Sequence, residues 1–489
     1  MLPYATLITL DRQAAAPLTQ QLTTAFISLI KQGLLLPGNR LPGARTLADL
    51  LGVHRQTAST AYEELAAQGW IEQAPARAAV VSRRLPEVQP QPLPAPAPVG
   101  MAPRAGFGFV RNPDLVTAPY APLPLVLDSG LPDARLAPLD ALARNYRALL
   151  RRASTRGGLG YTGANGPLRL RQQLAQYLRD TRGVPADVEH VFTTRGSIMA
   201  MHLLARLLLR PDDAVVVGQR SYATADQLFA QCGARLLRVP VDEHGLVVDA
   251  VAALCRQQRV RLLYLTPHHH YPTTVTLTAA RRLQLLQLAE RYDFVILEDD
   301  YDFDYHYASS PILPLASADR HGRVLYVGSL SKALAPAVRI GYVVAPPDVV
   351  EELGYLRRLI DQQGDTLLEL AVAELFAEGE MTRHLKRARK AYQQRRDVFC
   401  QLLREQLPEQ LRFAVPAGGL AVWAELPPET DLPRLAARCA RQGLGLNAGQ
   451  DYRLAPDGAP GLRLGFASST PAELARSVGI LRQALTAES

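Results

Sequence analysis

The sequence predicts an α/β protein in which a small helical head precedes a mainly parallel sheet and a smaller α+β part. Three observations predict it. At 489 residues the chain exceeds what one hydrophobic core organises. Prolines at Pro86, Pro90, Pro92, Pro94, Pro96, Pro98 and Pro103 interrupt any periodic apolar pattern. Beyond them, β-branched and leucine-rich runs alternate with amphipathic helices, as in parallel βαβ units.

Composition narrows the class. With 48% hydrophobic and 20% charged residues the chain is an ordinary globular protein, which excludes disorder and collagen-like order. No apolar run approaches a membrane span. The start, Met1-Leu2-Pro3-Tyr4, lacks a secretory pattern, so a cytoplasmic address is expected. Cys232, Cys255, Cys400 and Cys439 are too scattered for a metal or redox pair. A net charge of +8 suits a polyanionic partner, although it is spread along the chain.

In the head, Leu18, Leu22, Phe26, Leu29 and Ile30 recur at helical spacing and stop at Gly33. A short helix is expected over Thr46 to Leu51, closed by Gly52, and a third over Arg55 to Gln68, with Ala58, Ala61, Tyr62 and Leu65 inward. Two short strands, Trp70 to Glu72 and Ala79 to Val81, complete the order of a winged helix-turn-helix, whose third helix enters the major groove. Its first turn holds Arg55, Gln56 and Thr57, types that reach base edges or phosphates, while Arg40 and Arg45 flank a Pro42-Gly43-Ala44 bend. The proline-rich stretch is expected to be an extended tether of about 55 Å, at about 3.1 Å per residue.

The strands expected in the larger part are Ala214 to Val217, Leu236 to Val239, Leu262 to Thr266, Phe294 to Leu297 and Val324 to Val327. A helical tract from Asp365 through Arg395, short strands around Phe413 and Val422, and a strand over Leu462 to Phe466 form the smaller part. The expected divisions are 1–84 for the head, 85–120 for the linker, 121–364 for the large domain and 365–489 for the small one.

Ligands in such sheets sit beyond the carboxyl ends of the strands. There the sequence places Ser329-Leu-Ser331-Lys332, with Arg339 shortly after, and Asp299 and Tyr301 behind the preceding strand. A lysine between hydroxyls and an arginine can form a Schiff base beside a held phosphate. A buried carboxylate is costly unless a cation pairs with it, and a protonated pyridine nitrogen is such a cation. The run His268-His269-His270 invites a metal reading, but adjacent residues diverge and Pro267 and Pro272 confine the loop, so no metal is expected.

The stretch from Pro37 to Gly69, containing Leu41-Pro-Gly-Ala-Arg-Thr-Leu and Gly52-Val-His-Arg-Gln-Thr57, resembles the GntR-family signature. That resemblance implies phosphate contacts from Arg45 and Thr46 and a recognition helix opened by Arg55 and Thr57. The wing departs from the family's glycine-rich pattern, which puts the minor-groove role of Arg77 in doubt. The lysine and acidic segments resemble fold-type I aminotransferases, and the combination resembles the MocR-type regulators over nearly the whole chain. This implies pyridoxal 5'-phosphate (PLP) on Lys332, Asp299 at the pyridine nitrogen, Tyr301 at the 3-oxygen and Arg339 at the phosphate. Gly196 and Ser197 match the phosphate loop, Tyr222 the aromatic over the ring, Tyr161 a residue reaching the neighbouring subunit's phosphate, and Arg463 the grip on a ligand carboxylate. Three departures stand out: Ile198 replaces a glutamine, Tyr271 an asparagine and Thr274 a glycine.

The implied function is transcription regulation. A head-to-tail homodimer would bind a double-stranded operator and sense a small amine, an amino acid or PLP itself. The alternatives are a working aminotransferase with a vestigial head, and a DNA-binding scaffold that never loads PLP. The intact recognition helix disfavours the first, and the retention of both Asp299 and Lys332 the second.

Overall fold

A computed structural model describes residues 2–73, 78–86, 104–109, 123–127, 129–152, 160–307, 311–447 and 460–486. Most of the proline-rich stretch lies outside these, as does Arg77. The chain divides into two compact units, Met1–Ala118 and Pro119–Ser489.

In the first unit, α1 (Leu18–Lys31) buries Leu22, Phe26, Leu29 and Ile30 against α3 (Arg55–Ala67), whose inward residues are Ala58, Ala61, Tyr62 and Leu65. Between them α2 spans Ala44–Leu51. It begins two residues before the expected start because Gly43, extended at ψ 151°, takes the capping position. Arg45 and Thr46 therefore lie in its first turn. Gly52, at φ +63°, ends α2 in the left-handed region where a side chain would be strained. Strands β1 (Ile71–Glu72) and β2 (Val80–Val81) pair antiparallel as the wing.

The second unit opens with β3 (Leu125–Leu127). Its main sheet contains β4 (Val191–Thr194), β5 (Ala214–Gly218), β6 (Arg235–Val239), β7 (Leu262–Leu265), β8 (Val295–Asp300), β9 (Val324–Ser329) and β10 (Gly341–Val344), in the order β4-β10-β9-β8-β7-β5-β6. All pairings are parallel except those of β10, which runs antiparallel to both neighbours. Helices cover both faces, so β5 and β7 are buried throughout and carry almost unbroken apolar runs. Strand β8 runs three residues past the expected end, because each of its acidic residues finds a partner and the ladder to β9 continues through Asp300 opposite Gly328.

The expected single helical tract after Asp365 is two helices. Gly379, at φ +69°, separates α4 (Thr366–Ala377) from α5 (Glu380–Gln406). A second sheet follows, in which β11 (Arg412–Phe413), β12 (Ala421–Glu425) and β14 (Gly461–Gly465) pair antiparallel, while β13 (Leu444–Leu446) pairs parallel with β3. The expected division at residue 364 is crossed in both directions. Leu125 and Leu127 join the C-terminal core, and Val372, Ala373 and Leu375 of α4 pack with the main-sheet core. Among the described residues no helix is long and apolar enough to cross a membrane.

Candidate functional site

Strand β8 sorts three successive acids by its two-residue alternation. Glu298 accepts the backbone N–H groups of Leu315 and Ala316, both at 2.9 Å. Asp300, on the same face, accepts the Tyr326 hydroxyl at 2.5 Å and lies 3.8 Å from the buried Arg182 guanidinium. Asp299 is on the other face, where Tyr264 from β7 donates to Oδ2 at 2.9 Å. Its Oδ1 is buried without a hydrogen-bond partner. Burial, with Asp300 and Asp302 nearby, pushes the Asp299 carboxyl up to about 7 against the Tyr264 bond.

Strand β9 lies beside β8, with Val327 opposite Asp299, and leads directly into Lys332. Ser329 caps this turn by accepting the Ser331 N–H at 3.2 Å, and the Ser331 hydroxyl is buried without a partner. Across the sheet Ser329 is opposite Gly341, and Gly341 is opposite Thr194. That row places the Ser329-Ser331 turn, Arg339 and the Gly196-Ser197 start of the helix Ser197–Leu208 at one end of the sheet. Gly196 stands at φ +86°, and a Cβ there would meet the Arg339 guanidinium at 2.6 Å. Arg339 is exposed and donates to the Arg195 carbonyl at 3.0 Å. Ile198, in the expected glutamine position, is 39% exposed.

An aromatic wall closes the opposite side. Tyr222 caps the helix Ala223–Gln231, and its ring lies 5.1 Å from Tyr271. Tyr271 packs with Trp423 and Tyr301. Trp423 of β12 is directly opposite Arg463 of β14. Arg463 is buried and already engaged. It donates to the carbonyls of Ser129 at 2.8 Å and Pro272 at 2.9 Å and to the Tyr301 hydroxyl at 3.2 Å, and it lies 4.9 Å from the Tyr271 ring centroid. The Tyr301 hydroxyl donates in turn to the His269 carbonyl at 2.7 Å.

The three histidines diverge as expected. His268 bonds the Ile312 carbonyl at 2.6 Å, His269 bonds Asp302 at 2.8 Å and His270 bonds the Arg220 carbonyl at 3.0 Å. Burial, with Arg463 nearby, drives the His270 imidazole down to about 4 despite its bond to that carbonyl. No group of three potential metal ligands is found among the described residues. Thr274, at φ +62°, occupies the left-handed backbone that the glycine it replaces would adopt freely.

Tyr161 is 89% exposed. Sequence reasoning missed Tyr264 and Trp423. The signal for Tyr264 was a phenol in the middle of a buried leucine run; nothing in the sequence pairs Trp423 with Arg463.

In the first unit the candidate DNA-contacting residues Arg40, Arg45, Thr46, Arg55 and Gln56 are all exposed, and Thr57 is half-buried. Arg55, Gln56 and Thr57 form the first turn of α3, with Gln56 donating to Thr60 at 3.4 Å. The Tyr62 hydroxyl ties α3 to the bend before α2 by donating to the Pro42 carbonyl at 2.8 Å.

Two family models match the chain: bacterial regulatory proteins of the gntR family over residues 18–81, and aminotransferase class I and II over residues 126–481. The chain is 30% identical over 489 residues to the "Probable rhizopine catabolism regulatory protein MocR" of Rhizobium meliloti, covering 98% of this chain and 96% of that protein. It is also 30% identical to the HTH-type transcriptional regulator TauR of Rhodobacter capsulatus, over 96% of each. Among solved structures, an archaeal alanine:glyoxylate aminotransferase superposes with a TM-score of 0.71 at 28% identity, over 76% of this chain and 92% of that one.

Proposed function

Since the chain belongs to the MocR-type GntR-family transcription regulators, a DNA-binding head joined to a class I and II aminotransferase fold, we propose that it holds PLP at Lys332 and alters its DNA-bound state when a small amine or amino acid enters the cleft. The observation that carries this reading is the buried, unpartnered Asp299 Oδ1 beside the strand that leads into Lys332. A buried carboxylate atom without a partner is costly, and a protonated ring nitrogen satisfies it.

When bound, PLP supplies an aldehyde that captures a primary amine and a ring that withdraws electrons. The surrounding residues fit that group. Asp299 holds the ring proton, and Tyr264 orients the carboxylate from its other oxygen. The Ser197 N–H at a helix start, the Ser329 and Ser331 hydroxyls and the Arg339 guanidinium form a cradle for a phosphate, and Gly196 leaves room for it. Tyr222 and Tyr271 wall the ring. Tyr301 can serve the 3-oxygen by turning its proton from the His269 carbonyl, and the Arg463 guanidinium would grip a ligand carboxylate. The Tyr301 exchange links ligand entry to the loop that carries His269 and Pro272. Tyr161, exposed in its own subunit, is suited to reach the phosphate of a head-to-tail partner. In the head, Arg45 and Thr46 would hold phosphates, and Arg55, Gln56 and Thr57 would address bases, with Arg40 on the backbone.

The test is the visible absorption of the full-length protein incubated with PLP, for the wild type and Lys332→Ala, while amino acids, γ-aminobutyrate and taurine are added in turn. A Lys332-dependent band that one amine shifts and holds supports sensing. Steady conversion of that amine to a carbonyl product supports the enzyme alternative, and no band in the wild type overturns the PLP assignment.

A further inference from the structure

Residues 119–489 hold 44 basic and 39 acidic side chains, a net of +5. Helix α5 alone holds eight Lys or Arg against three acids, also +5, so the rest of this unit cancels. From 381 to 396 there are seven bases and no acid.

Three of these seven have structural partners. Arg395 is buried and pairs with Asp133 at 2.9 Å; Arg396 bonds the Pro416 carbonyl at 3.0 Å and Asp397 at 2.7 Å; Arg383 pairs with Glu380 at 2.9 Å. Lys386, Arg387, Arg389 and Lys390 are exposed, and among the described residues no carboxylate comes within 4 Å of them. Met381, His384, Ala388, Tyr392 and Phe399 bury the opposite face of α5, which fixes the basic side outward. Lys386 and Lys390 are one turn apart, about 6 Å along the axis. That rise is close to two nucleotides of one strand, at about 3.4 Å each.

We propose that this face of α5 binds the phosphates of duplex DNA, giving the aminotransferase-like unit a sequence-independent grip that adds to the reading by the head. The proposal rests on the regulator reading above. DNA is favoured over other polyanions because α3 of the same chain engages a duplex, and the linker then raises the local concentration of phosphate around α5. Four unneutralised cations on one fixed face are what counterion release requires.

The experiment compares three full-length, PLP-loaded proteins on a mixed-sequence 60-bp duplex across a salt series: wild type, K386Q/R387Q/K390Q, and R45A/R55A. Each lost phosphate contact lowers the slope of log K against log salt by about 0.9, so the glutamine variant is expected to lose about 2–3 from the slope. Its visible cofactor band and melting temperature stay at wild-type values, because the three side chains are exposed. A glutamine variant with the wild-type slope and affinity overturns the proposal. So does loss of binding to phosphatidylserine vesicles with an unchanged duplex slope, which would assign the face to a lipid surface. The head variant is read separately, and a wild-type slope there would count against DNA reading by the head, not against α5.

Discussion

Glu298, Asp299 and Asp300 are neighbours in sequence with three different fates, and the difference lies in what each one faces. Backbone N–H groups hold the first and an arginine-tyrosine network the third, while Asp299 keeps one oxygen without a partner. Its folded-state pKa, about 7, is raised above the ordinary value of 3.8. This contribution to stability is therefore fully present below about pH 4 and is lost as pH rises through about 7. Asp299→Asn should raise the melting temperature of the cofactor-free protein more at pH 8 than at pH 5, while weakening PLP binding. An equal shift at both values would contradict the assignment. Thr274 supplies a second prediction at this scale. A β-branched residue at φ +62° carries strain of about 1 kcal/mol, so Thr274→Gly should stabilise the protein by a fraction of that once the glycine's extra unfolded-state freedom is subtracted. Denaturant unfolding measures it. Lys332 and Asp299 could be nominated from the sequence because each lies at or just past the end of a strand run, and Arg339 because it follows the lysine turn in the pattern that resembles fold-type I aminotransferases. Tyr264 and Trp423 could not, since their partners come from strands that only the folded sheet brings alongside.

At the scale of elements, the head follows its sequence signals closely. Gly52 ends one helix, and the apolar positions of α3 face inward at the expected spacing. The roles proposed for its exposed residues separate by experiment. Arg45→Ala should weaken binding to all duplexes alike and lower the salt slope by about 1, whereas Arg55→Ala should also reduce discrimination between operator and random DNA by about 1–3 kcal/mol. Equal losses on both duplexes from Arg55→Ala would place it on phosphate instead. In the larger unit, strand positions were legible but strand ends were not. A polarity rule stops β8 at Leu297, whereas the ladder continues because partners for the acids arrive from other elements. Strands β4 and β10 escaped notice, although at four residues each they are as long as β7, which was expected. The break between α4 and α5 was hidden for another reason: a glycine inside a helical pattern reads as tolerated until its positive φ is seen. Gly379→Ala should cost about 1 kcal/mol there, measurable by denaturant unfolding.

For the whole molecule, the aminotransferase-like fold and the DNA-binding head were legible as separate patterns, because each is written in local spacing. Their coupling is not, since it depends on two global states with different ligand contacts. If Tyr161 completes the neighbouring subunit's site, Lys332→Ala and Tyr161→Ala proteins will each bind PLP poorly, and co-expressed mixed dimers will regain one tight site. No recovery in isolated mixed dimers would confine Tyr161 to its own subunit. The most direct measurement is DNA affinity at fixed salt, for PLP-loaded wild type and for Lys332→Ala, before and after adding the amine that shifts the visible band. Sensing through the cleft predicts that the amine changes the wild-type affinity several-fold and leaves Lys332→Ala unmoved. The same change in both proteins, or none in the wild type, would contradict it.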